Sequence, residues 1–254
     1  MALISFRKSS RALPSPKVDP RERVYAIGDI HGRFDLMIRL LDRIVRDAEA
    51  IDDGRKVRLV FIGDYIDRGD ASADVLDALS HLAMTPDHNA IFLLGNHEDA
   101  MLTFLDAPHQ GASWLRMGGQ QTLASYGMGH VPDGLLQTDP LGVRDELARA
   151  AEDHIPFLND LKPKFVSGDV VFSHAGLNPA RDLTDQSRDA LAWGHPDFLQ
   201  DWPLPGKRVV HGHYDDVSVV TKGGRICVDT GAYYSGVLTA VRLDDSEAFI
   251  STAD

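Results

Sequence analysis

The sequence predicts a layered α/β/β/α body in which two packed mixed β-sheets are flanked by helices, and three observations carry that expectation. Five short apolar, β-rich runs stop at glycine and at side chains of metal-ligand type. Amphipathic stripes of helical period separate the first three of them. The last third of the chain is dominated by short β-rich runs punctuated by glycine turns, which a second sheet stacked on the first accounts for most simply.

The first run, residues 24–32, ends in Gly28-Asp29-Ile30-His31-Gly32. Leu36, Ile38, Leu40, Leu41, Ile44 and Val45 then fall on a broad helical stripe, which Asp53-Gly54 stops. The second run, 58–64, ends in Gly63-Asp64, and Val75, Leu76, Leu79 and Leu82 mark a second helix over 71–82. The third run, 90–98, ends in Gly95-Asn96-His97-Glu98. The order is βαβαβ, so helices cover a sheet whose strands deliver their C-terminal ends to one rim.

Residues 101–165 read differently, with a helical start, glycines at 111, 118, 119, 127 and 129 around Trp114 and Tyr126, and a helix over 141–151. A helical insertion flanking the mouth of a site fits that position. Trp114, Leu115 and Met117 beside Gly118-Gly119 either contact a substrate or seal the insertion against the sheet. The fourth and fifth runs, 169–176 and 207–213, end in Ser173-His174-Ala175-Gly176 and His211-Gly212-His213.

A chain of 254 residues can bury about 70–75% of its unfolded surface, enough for one domain over 21–254. Residues 1–20, with Pro14, Pro16 and Pro20, read as a flexible arm that lacks the apolar core of a secretory signal. No apolar stretch is long enough to span a bilayer. A formal charge of -12, without a basic block interleaved with aromatics, argues against a nucleic-acid partner. Cys227 is the only cysteine, so neither a disulfide framework nor a thiolate metal site is available, and a cytoplasmic location is expected.

The run ends offer Asp29, His31, Asp64, Asn96, His174 and His213, a mixed nitrogen and oxygen set that suits manganese, iron or zinc better than calcium. Asp29 and His31 can converge on one ion if the chain turns at Gly32. Singly, Asp64 could cap a helix and Asn96 could form an Asx-turn; their recurrence at successive strand ends favours a site. Period-two alternation puts His211 on the same face as His213, so pattern alone leaves either as the ligand.

Asp29-x-His31-Gly32, Gly63-Asp64-x-x-Asp67-Arg68-Gly69, Gly95-Asn96-His97-Glu98, Ser173-His174-Ala175-Gly176 and Gly212-His213 together resemble the calcineurin-like metallophosphoesterases. More narrowly, they are similar to the phosphoprotein phosphatases that act on serine and threonine, in their small bacterial and phage form, over about residues 24–240. The resemblance implies a metallophosphoesterase fold and two divalent ions, Mn²⁺ foremost, with Fe or Zn as alternatives. It implies that Asp29 and His31 hold the first ion, Asp64 bridges both, and Asn96, His174 and His213 hold the second, which selects His213 over His211. His97 matches the family's acid, Asp67 the carboxylate that supports it, and Arg68, with Asn96, the phosphate contacts. Family members of the small type often place a second arginine in a Trp-x-Arg arrangement; Trp193-Gly194-His195 puts His195 there instead.

The implied activity is hydrolysis of phosphate monoesters, phosphoserine and phosphothreonine in proteins foremost, by water activated between the two ions. Glu98 leans towards the protein phosphatases, because the dinucleoside tetraphosphatases usually show aspartate at that place. Two other readings stand beside it: hydrolysis of dinucleoside polyphosphates or other small phosphorylated molecules, and a metal-binding scaffold without turnover.

Overall fold

Strand β1 (Glu22–Ile27) is buried on both faces, because its alternate residues enter different cores. Val24 and Ala26 belong to an apolar cluster that also holds Val170, Phe172, Val210 and Ile226, whereas Tyr25 and Ile27 join one built largely from helices. The computed structural model of the protein describes residues 16–85, 89–200 and 206–253. Strands β2 (Lys56–Phe61) and β3 (Ala90–Phe92) run parallel to β1, with α1 (Phe34–Ala50) and α2 (Ser72–Ala83) as the crossovers. The buried stripe of α1 is Leu36, Met37, Leu40 and Ile44. Ile38 and Val45 fall outside it and are exposed, since a residue advances about 100° around a helix.

Helix α3 (Asn96–Asp106) follows β3 after only three residues. The chain then passes through α4 (Ala112–Trp114), a kink at Leu115–Gly119, α5 (Gln120–Ser125), α6 (Asp133–Thr138), α7 (Pro140–Ala150) and α8 (Ile155–Asn159). Trp114, Leu115, Leu123, Val143, Leu147 and Leu158 close the helical core over the first sheet.

Strands β4 (Phe165–Ser167), β5 (Val170–Phe172), β6 (Arg208–His211), β7 (Val220–Lys222) and β8 (Arg225–Cys227) form the second sheet in the order β4-β5-β6-β8-β7. Val171 and Val209 turn to its outer face, where Leu191 of α9 (Arg188–Ala192), Leu177 and Phe198 cover them. After α10 (Ala232–Ser235) the chain departs from expectation. Strands β9 (Thr239–Leu243) and β10 (Glu247–Ser251) return to the first sheet, giving the order β10-β9-β1-β2-β3. β9 is antiparallel to β1 and occupies the edge of β1 that β2 leaves open.

Of the arm expected over residues 1–20, residues 1–15 lie outside those described. The remainder is held in place: Val18 is buried, the Asp169 amide donates to the Lys17 carbonyl at 2.7 Å, and the Asp19 amide donates to Ser167 Oγ at 3.0 Å. No helix among the described residues is long and apolar enough to cross a membrane.

Candidate metal centre

Three parallel strand ends of the first sheet and two of the second meet at one rim. Of the six non-glycine residues with positive φ among those described, five are sequence candidates: His31, Asp64, Asp67, Arg68 and His213. Left-handed backbone is costly for such residues, so its concentration here marks turns held by surrounding structure to aim side chains. Gly32, at φ 64°, makes the expected turn. Asp67 and Arg68 make the turn that follows Asp64; Gly69 allows close approach, as a Cβ there would lie 2.2 Å from the His31 carbonyl oxygen.

Asp64 is the hub. Its Oδ2 lies 3.6 Å from His31 Nε2, 3.9 Å from His97 Nε2 and 3.3 Å from His174 Nε2. His174 Nε2 and His213 Nδ1 each sit 2.9 Å from the Asn96 side-chain oxygen, and the His213 amide donates to Asp29 Oδ2 at 3.0 Å. His97 Nδ1 is 2.6 Å from Asp67 Oδ2, and Arg68 Nη1 is 3.1 Å from His31 Nε2. The Arg68 guanidinium also lies over the Tyr233 ring, at 4.8 Å from its centre. All but His195 of the sequence candidates therefore form one connected cluster. The His195 ring is turned to its own loop, where Nδ1 accepts from the Asp197 amide at 3.3 Å. Trp193, beside it, donates to Asp99 Oδ2 at 2.7 Å.

The residues fit a pair of cations. His31 and Asp64 converge in one group of donor atoms, beside which His97 stands, and Asp64, His174 and His213 in another; Asp64 belongs to both, and Asp29 to neither. Three of the six buried side-chain polar atoms without a hydrogen-bond partner among the described residues are Asp29 Oδ1, His97 Nε2 and His174 Nδ1. Orphaned buried polar atoms are rare in folded proteins, and of these Asp29 Oδ1 lies in a cluster whose chemistry suits a divalent ion. Burial and the nearby carboxyls of Asp229 and Asp64 push Asp29 well above the usual carboxylate range, and burial lifts Asp229 to about 6. A cation beside these acids would remove that penalty.

Burial holds the His31 and His213 imidazoles neutral, down to about 3 and about 4, so each keeps a lone pair. His31 Nδ1–H donates to the Ile66 carbonyl at 2.9 Å, which fixes the tautomer and leaves Nε2 facing Asp64. His97 is shifted the other way. Burial opposes its charge, but Asp64 and then Asp67 outweigh it and raise the imidazole above its ordinary value. The buried His211, also lowered by burial to about 4, bonds the Gly212 carbonyl and packs against Phe198, away from the donor groups.

Two supports were not evident from the sequence. Trp114 Nε1 donates to Asp67 Oδ2 at 2.9 Å and Thr122 Oγ1 to Asp67 Oδ1 at 2.6 Å, so the helical segment holds the carboxylate that holds His97. Trp114 and Leu115 are buried, as the sealing alternative has it, and Met117 is half-exposed. Glu98 is also buried; its Oε2 accepts from the amides of Asp64 and Gly95, and its Oε1 from that of Tyr65. Gly95 followed three residues later by Glu98 is a capping-box spacing that points to this role.

A family profile of the calcineurin-like phosphoesterases matches residues 22–216. The chain is 27% identical over 272 residues to the symmetrical bis(5'-nucleosyl)-tetraphosphatase of Methylobacillus flagellatus, covering 89% of this chain and 93% of that one. The enzyme of the same description from Salmonella paratyphi A is 26% identical over 278 residues, covering 91% and 94%. Among solved structures, a candidate diadenosine tetraphosphatase superposes with a TM-score of 0.56 at 22% identity, covering 91% of this chain and 92% of that one. A protein serine/threonine phosphatase from Saccharomyces cerevisiae superposes with a TM-score of 0.51 at 17% identity, covering 94% and 85%; both likenesses are of fold. The profile spans the first three strand ends, His174 and His213, and by that match the chain belongs to the calcineurin-like phosphoesterases and is a metallophosphoesterase.

Proposed function

We propose that the protein hydrolyses a phosphoanhydride bond in dinucleoside polyphosphates. The observation that carries this reading is likeness along nearly the whole of both chains to symmetrical bis(5'-nucleosyl)-tetraphosphatases. The protein-phosphatase reading drew on Glu98, and that support is weak. Both Glu98 oxygens are taken by backbone amides at the Asp64 and Gly95 turns, so the residue speaks to loop geometry and not to what is attached to the phosphate.

In this reading Asp29 and His31 would hold one divalent ion and Asn96, His174 and His213 the other, with Asp64 serving both; Mn²⁺ is the first choice and Fe or Zn the alternatives. When bound, such a pair supplies Lewis-acid stabilisation of the phosphoryl group and an activated water. Arg68 offers a planar fork to two phosphoryl oxygens. Asp67 holds His97 Nδ1, which leaves Nε2 to give its proton to the departing oxygen. A departing phosphate needs that proton less than a serine alkoxide does.

Initial rates with Mn²⁺ on diadenosine tetraphosphate and on a phosphoserine peptide test the proposal. The expected result is a kcat/KM at least about tenfold higher for the dinucleotide, with two molecules of ADP as product. A preference for the peptide would overturn it.

A further inference from the structure

Arg116 projects from the kinked segment Leu115–Gly119, where Gly118 leaves helical geometry. This segment is fastened to the candidate centre at both ends. On one side Trp114 donates to Asp67, and Gly119 lies so close to the Trp114 indole that a Cβ would sit 2.7 Å from Cε2. On the other, the Arg68 amide donates to the Gly118 carbonyl at 3.3 Å. Gly118, at φ 122°, leaves no room for a Cβ, which would lie 2.7 Å from the Arg68 nitrogen. The position of Arg116 is thereby tied to the backbone that aims Arg68.

Arg68, Arg116, Met117, Gln121, His130 and Tyr233 line one shallow, open cleft of about 530 Å³. Arg116 is exposed and makes no hydrogen bond or ion pair with any described residue. Carboxylates are not scarce, since the chain carries 38 Asp plus Glu against 26 Lys plus Arg. An unpaired guanidinium held in a cleft that begins at Arg68 is placed to meet an anion from outside the protein. The flank where a second arginine was expected has His195 instead, bonded to its own loop.

We propose that this cleft binds the part of the substrate beyond the scissile phosphoryl group, with Arg116 pairing to the distal phosphates of a polyphosphate chain. The inference rests on the dinucleoside polyphosphate reading above and makes Arg116 a specificity residue for it. Tyr233 and Met117 add the apolar surface that a nucleoside would cover.

The test compares wild type, Arg116→Ala and Arg116→Lys on diadenosine tetraphosphate and on p-nitrophenyl phosphate, which carries nothing anionic beyond its single phosphoryl group. Arg116→Ala should raise the ratio of the two KM values, dinucleotide over monoester, about tenfold, and Arg116→Lys should restore part of it. A second arm uses inhibition of p-nitrophenyl phosphate hydrolysis at saturating Mn²⁺. The Ki ratio of inorganic tripolyphosphate to orthophosphate should rise about tenfold in Arg116→Ala; chelation affects both proteins alike. Unmoved ratios in both arms would overturn the role of Arg116 while leaving the proposed function standing. If wild type fails to cleave the dinucleotide, that function falls, and the inhibition arm still decides whether Arg116 reads distal phosphate.

Discussion

At the scale of single residues, the centre depends as much on missing atoms as on ligands. Gly212 has no side chain to contribute, yet a Cβ there would lie 1.9 Å from Asp29 Oδ1, one of the orphaned oxygens. Gly212→Ala is therefore expected to displace the Asp29 carboxylate. Ion content measured by mass spectrometry should fall below two per chain and turnover should drop at least about tenfold, the range seen when groups that orient metal ligands are lost. Two bound ions with normal turnover would show that the Asp29 carboxylate is not needed where it stands. The same reasoning explains Gly95, where a Cβ would meet Asp64 Oδ1 at 2.1 Å.

Among the elements, the segment from α4 to α5 acts as a brace. Asp67 holds His97 Nδ1 with one oxygen and receives Thr122 Oγ1 and Trp114 Nε1, both donated from that segment. Trp114→Phe keeps an aromatic ring in a fully buried slot and removes only the N–H. A hydrogen bond to a charged group contributes about 1.5–3 kcal/mol, so kcat should fall about tenfold on a substrate whose leaving group needs a proton. Trp114 is a positioning residue, and KM and ion content should hold. Unchanged kcat, or loss of ions with it, would count against the brace.

Across the whole molecule, the end of the first sheet opposite the centre is closed by charge. The buried Arg23 guanidinium lies 2.7 Å from Asp53 Oδ2 and 3.0 Å from Asp244 Oδ2, tying β1 to the loop after α1 and to the β9–β10 turn. Partial burial pushes the Asp244 carboxyl up, but hydrogen bonds from Ser246 and Arg23, with the Arg242 charge, outweigh it and lower the group to about 2. A lowered carboxyl stabilises the fold above its unfolded value and loses that contribution as pH falls towards the folded one. Asp244→Asn should cost about 1 kcal/mol at pH 7 after screening by nearby solvent, and the deficit should shrink from about pH 4 towards pH 2. Urea unfolding at pH 7 and near pH 3 measures it, and an equal deficit at both would show that the charge is not the cause.

The local code of this chain was legible from the sequence alone. An apolar run, a glycine and a ligand-type side chain are neighbours in sequence, and their meaning depends on strand geometry that a short segment largely sets. Asp29, His31, Asp64, Asn96, His174 and His213 could be nominated on that basis, and they come together. Tertiary structure alone decided the rest, because it turns on contacts between residues far apart in the chain. β9 pairs with β1 although more than two hundred residues separate Val24 from Leu243. Trp114 and Thr122 reach Asp67 across 47 and 55 residues, and His195 bonds its own loop where the family's pattern suggested a phosphate contact. No local pattern encodes the cleft that Arg116 shares with Arg68 and Tyr233, since its walls meet only when the helical segment packs onto the strand ends.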